Sequence, residues 1–131
     1  MRPVPMARAL PFLAGLLALA ACGGDPVEVP ANPTPARLEG GVQVVEIAVD
    51  TTGFTPRAVE LRAGVPARLV FTRTTDGTCA TEVASPALGI PTTDLPLDRP
   101  TAVAFTPDEA GTFAFACGMD EMVEGAVVVR S

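Results

Sequence analysis

From Val42 to the C-terminus, apolar residues recur at every second position in short runs, and this period limits what the chain can fold into more than any other feature. "VQVVEIAVD" (Val42–Asp50) sets Val45, Ile47 and Val49 on one face, and "AVELR" (Ala58–Arg62) alternates Val59 and Leu61 with charge. "ARLVFTRT" (Ala67–Thr74) separates Leu69 and Phe71 from Arg68 and Thr72. Ala102–Thr106 alternates Val103 and Phe105, Thr112–Cys117 alternates Phe113, Phe115 and Cys117, and Gly125–Arg130 is a final apolar run. Alternating side chains leave a strand on opposite faces, so each run has one face to bury. Turn signals stand between the runs: Thr52-Gly53, Ala63-Gly64, Asp76-Gly77, Pro107-Asp108 and Ala110-Gly111. No segment keeps a helical period over three turns. Short strands at this spacing predict an all-β chain, an antiparallel sandwich or barrel. Thr81–Asp94 breaks the pattern and reads as a strand passing into an irregular loop.

Composition removes most chemistries. The chain of 131 residues has 9 basic and 15 acidic side chains, a net charge of −6 and no histidine. There is no basic patch for nucleic acid. Without imidazole there is no Ser-His-Asp or Cys-His catalysis, and no phosphate loop or Cys-x-x-Cys motif is present. No enzyme activity is expected.

The N-terminus reads as a leader. Arg2 and Arg8 precede the 13-residue apolar run Ala9–Ala21, too short to span a bilayer as a helix. It ends in Leu19-Ala20-Ala21-Cys22, which resembles a bacterial lipobox, in which the cysteine thiol, here that of Cys22, is acylated and the cysteine then becomes the first residue of the mature chain; the alternative is an ordinary secretory peptide with a chance cysteine at its end. Residues 1–21 are then a lipoprotein signal peptide. Residues 22–41 are the acylated cysteine and a tether, with four prolines and four glycines in the 19 residues after Cys22. Residues 42–131 are the domain. The expected location is outside the cytoplasm, lipid-anchored to a bacterial membrane on its periplasmic or cell-surface face. Disulfides are permitted there.

With Cys22 acylated, two thiols remain. Cys117 opens the stretch "CGMDEM", which adds Met119 and Met122, and Cys79 lies 38 positions upstream. Phe113, Phe115 and Cys117 share one face of a predicted strand, so if the rings are core the Cys117 sulfur faces inward at the strand's end.

Several segments recur in a known order: "GFTPRAVELRAGVPARLVFTR", "CATEV", "LGI", "DLPL", "FTPDEAGTFAFACGM" and "EGAVVV". Together they resemble the cupredoxin-like domains, Greek-key β-sandwiches, and most of all a secreted subgroup with a Cys-Gly-Met motif associated with copper transport. The resemblance implies a copper site at one end of the sandwich and, as partner, a copper transporter or another copper protein. It assigns Cys79 to the mid-chain ligand position and Cys117 to the loop ligand. Met122 takes the last position, in competition with Met119, and Glu82 is the weakest candidate. This chain has one residue more before its second Met than the subgroup's Cys-Gly-Met-x-Met.

Thiolate and thioether sulfurs are soft donors that select Cu(I), and a blue-copper centre needs imidazoles that this chain lacks. The expected cargo is Cu(I), held for capture or transfer. Two alternatives stand beside it. One is an electron-transfer cupredoxin with a non-standard ligand set. The other is a non-metal sandwich stapled by a Cys79–Cys117 disulfide, which closes a 37-residue loop and in the chain-entropy account stabilises by about 4 kcal/mol.

Overall fold

A computed structural model describes residue 3, residues 30–117 and residues 124–131. Its strands are β1 (Thr34–Pro35), β2 (Arg37–Glu39), β3 (Val42–Asp50), β4 (Gly53–Thr55), β5 (Ala58–Arg62), β6 (Ala67–Arg73), β7 (Glu82–Ser85), β8 (Ile90–Asp94), β9 (Thr101–Phe105), β10 (Gly111–Ala116) and β11 (Glu124–Arg130). They form two sheets. One has the order β1-β5-β11-β10-β7-β8; the other runs β2-β3-β6-β9, with β4 also paired to β3. The fold is an all-β sandwich.

The alternating residues fill the space between the sheets. Val45, Ile47, Val49, Leu69, Phe71 and Val103 come from one sheet, and Val59, Leu61, Phe115, Val127 and Val129 from the other. Three rings meet edge to face at the centre. Phe54 and Phe115 have centroids 4.8 Å apart, Phe71 and Phe115 5.7 Å, and Phe54 and Phe71 6.0 Å. Each such contact adds about 0.5–1.5 kcal/mol beyond simple burial.

The sheets are not purely antiparallel, as the alternation predicted. β3 pairs with β6 in parallel, and β5 pairs in parallel with both β11 and β1. The reason lies in the order of strands. β5 falls between β3 and β6 in sequence but belongs to the opposite sheet, so the chain crosses over, runs back and re-enters in its original direction. Parallel neighbours need such a crossover, and side-chain alternation does not report it.

Sheet pairing begins before Val42. Thr34 and Pro35 pair with Val59 and Glu60, the Ala36 N–H donates to the Glu60 carbonyl at 3.2 Å, and Arg37–Glu39 pair with β3. The N-terminal strand pair thus touches both sheets in turn. Its side chains stay exposed, Leu38 by 71%, so no apolar period announces it. The Thr81–Asp94 segment is also more regular than expected. β7 and β8 pair antiparallel through a 3-10 turn at Pro86–Leu88, and Gly89 (φ 71°) supplies the left-handed residue that reverses the chain.

A polar side chain occupies the buried face of β3, in phase with Val45, Ile47 and Val49. Gln43 is 4% exposed. Its amide nitrogen donates to the carbonyls of Arg62 and Val65, both at 3.0 Å, and its amide oxygen accepts from the Arg62 N–H at 2.6 Å. A single glutamine therefore satisfies the turn that joins β5 to β6.

Candidate metal centre

Strand β10 carries the first candidate ligand. Phe115 and Cys117 face the core, Phe113 packs at its margin, and Cys117 is 3% exposed. The inward direction expected from the i, i+2, i+4 spacing is what the strand adopts. Cys117 stands one residue past the last paired position of β10, where Ala116 is flanked by Ala84 of β7 and Glu124 of β11. The Ser85 hydroxyl, fully buried, donates to the Ala114 carbonyl at 2.6 Å and ties β7 to β10.

Cys79 lies in the connection from β6 to β7. That connection is built from side-chain-to-backbone turns. Thr75 Oγ1 accepts from the Gly77 N–H and Thr78 Oγ1 from the Ala80 N–H, each at 3.1 Å, and the Thr81 N–H donates to the Cys79 carbonyl at 2.9 Å. Hydroxyl residues close such turns by standing in for backbone acceptors. Ala80 is fully buried while Cys79 is exposed. Since β7 and β10 run antiparallel, the start of β7 and the end of β10 meet at one end of the sandwich. The segment bearing Cys79 and the residue Cys117 therefore share that end.

The other candidates divide. Val83 and Ser85 take the inner face of β7, so alternation turns Glu82 to the outer face, opposite the one Cys117 uses. Met119, Met122 and Cys22 lie outside the described residues. Among the described residues no three His, Cys, Asp or Glu side chains gather to hold a metal. Sulfur donors there are Cys79 and Cys117 alone, one reachable from solvent and one set in an apolar wall. A cleft at the opposite end, between the Ala87–Gly89 and Thr106–Glu109 connections, has Phe113 in its lining and no sulfur donor.

The family described as the cupredoxin-like domain matches residues 13–129. The chain belongs to that family. This cupredoxin-like domain is similar to the metal-binding domain of the Cu(I)-exporting P-type ATPase CopA of Streptococcus pneumoniae D39, solved with Cu(I). Identity is 32%, the TM-score is 0.70, and 76% of this chain and 97% of that one are covered. It is equally similar to a copper binding protein solved in its apo form, with 35% identity, a TM-score of 0.69, and 77% and 100% covered. Auracyanin B, at 16% identity and TM-score 0.52 over 79% and 94% of the two chains, shares the fold alone. No curated protein matches the chain.

Two features of the cupredoxin-like domain were not legible as site residues. Ser85 gives no motif signal, being one hydroxyl in an ordinary strand. Gly125 follows β11's first residue and pairs with Phe115. A Cβ there would collide with the far end of the Phe115 ring, so this glycine allows the ring to come close against the backbone of the next strand.

Proposed function

We propose that this cupredoxin-like domain is an exported, lipid-anchored copper-binding protein that holds Cu(I) through sulfur, for capture or transfer to another copper protein. The observation that carries the reading is the pair of relatives above 30% identity, matched over nearly their whole length, one of them a Cu(I)-loaded transporter domain. The donor set fits the ion. Cys79 and Cys117 stand at one end of the sandwich, both are soft ligands, and no histidine competes. Met119 or Met122 would complete the set from the connection between β10 and β11. An apolar wall at Cys117 suits a monovalent cargo held by thiolate, and a chain with no histidine lacks the imidazoles that a blue-copper electron carrier uses. Cys22 would hold the domain to the membrane by its acyl chains, after loss of residues 1–21.

The reduced protein, titrated anaerobically with Cu(I) against a chromophoric chelator, should take up one equivalent and lose that uptake on Cys117→Ser. Unchanged uptake in the variant would remove the ligand assignment. Membrane association should disappear on Cys22→Ser, and its persistence would remove the anchor.

A further inference from the structure

The N-terminal strand pair determines where the tether leaves the domain. Thr34 sits level with Val59, and Val59 sits level with Val127. β11 starts three residues before Val127, at Glu124, opposite Ala116 and beside Cys117. Since β1, β5 and β11 are parallel, all three run away from the cysteine end. Thr34 lies about 10 Å inside that end, at roughly 3.3 Å per residue. The second sheet agrees. β3 runs toward the cysteine end, where the Thr74 N–H donates to the Val49 carbonyl at 2.9 Å and a Cβ on Gly77 would stand 3.7 Å from Thr51 Cγ2. β2 is antiparallel to β3 and so also runs away from it. The chain therefore enters the sandwich from the cysteine end, and the C-terminal Ser131 leaves from the other.

Tether length gives this entry point a consequence. Between Cys22 and Thr34 there are eleven residues, Gly23–Pro33, three of them proline. In an extended Pro-rich form they reach about 34 Å at roughly 3.1 Å per residue. A domain of about 90 residues is about 30 Å across, from a radius of gyration near 12 Å. The tether is about as long as the domain is wide. Bringing the C-terminal end to the bilayer would require this segment to double back along the sandwich, which uses most of its reach.

We infer that the lipid anchor orients the domain, with its Cys79/Cys117 end turned toward the bilayer and its C-terminal end turned away. This rests on the anchor proposed above. It makes the cysteine end a surface for exchange with proteins embedded in the same membrane, such as a transporter whose opening lies at the lipid surface.

The test uses the full chain, acylated and reconstituted into phosphatidylcholine vesicles that contain dansyl-labelled lipid. The protein has no Trp and no Tyr, so one introduced tryptophan is a clean energy donor. Asp76→Trp places it at the cysteine end and Glu109→Trp at the opposite end. Both positions are exposed, and each substitution removes one carboxylate. Transfer to the labelled lipid should be about twofold or more higher from Asp76→Trp, the ends being separated by about 20 Å along the strands at 3.3 Å per residue. Equal transfer, or higher transfer from Glu109→Trp, in protein that still co-sediments with vesicles overturns the orientation and leaves the anchor standing. Failure to co-sediment overturns the anchor and the orientation together. Should either substitution unfold the domain, Thr51→Trp and Asp108→Trp occupy the same two ends and read out the same comparison.

Discussion

The ring of Phe115 lies over Gly125, its partner across the β10–β11 ladder, in the space where any other residue would carry its Cβ. The same ring makes edge contacts with Phe54 and Phe71, so it has nowhere to retreat. Gly125→Ala should destabilise the domain by about 1–3 kcal/mol, the usual range for overpacking a filled core. Urea unfolding measures it, and an unchanged midpoint would show that the ring has room to move.

Gln43→Leu keeps the volume of the side chain and removes three hydrogen bonds at once. The Arg62 N–H and the carbonyls of Arg62 and Val65 lose this partner where the side chain is buried. One unsatisfied group of that kind costs about 1–3 kcal/mol. The variant should unfold at lower urea with its slope unchanged, because the loss lies in native pairing rather than in exposed area. A stability equal to wild type would mean that water takes over those bonds.

The two cysteines should react at different rates. In reduced apo-protein, Cys79 is open to solvent and Cys117 is walled in by the core. A thiol reagent should modify Cys79 first and reach Cys117 only as the domain opens. Bound Cu(I) should protect both. Protein that yields no reactive thiol until reductant is added, and takes up no copper afterwards, supports the disulfide staple instead.

Asp50 supplies a pH test. Its carboxylate accepts hydrogen bonds from the Thr52 hydroxyl and the Thr52 N–H, the latter at 2.8 Å. These bonds, the hydroxyl's first, favour the charged form and lower the Asp50 pKa below its ordinary 3.8. A carboxyl with its folded value depressed contributes stability above its unfolded value, and that contribution is lost as pH falls through the folded one. A carboxyl NMR titration should show a midpoint below the ordinary value, moving up toward it in Thr52→Val. No movement would place the cause elsewhere.

Alternation located what it can locate. Val45, Ile47 and Val49, Leu69 and Phe71, and Phe115 with Cys117 all face inward, because each strand has one face to bury and the period of two reports which. β1 and β2 escaped because Arg37, Leu38 and Glu39 bury no face at all. β8 escaped because its sequence, "IPTTD", has one buried residue. Strand direction was illegible for a different reason: parallel and antiparallel neighbours bury alternate residues alike. At the candidate site, the cysteines were conspicuous because soft sulfur donors stand out in a chain without histidine. Ser85 and Gly125 were not, since their roles exist only relative to the strand beside them.

β11 is the last strand of the chain, and it lies inside its sheet, between β5 and β10. Without it, β5 and β10 have no neighbour in common and the sheet is two fragments. The core therefore cannot close until Glu124–Arg130 is available. Pairing β5 with β11 also joins residues far apart in sequence, which slows folding. A chain built this way keeps β5 and β10 apart until Glu124–Arg130 has been made, so the folding of its sandwich waits on that segment.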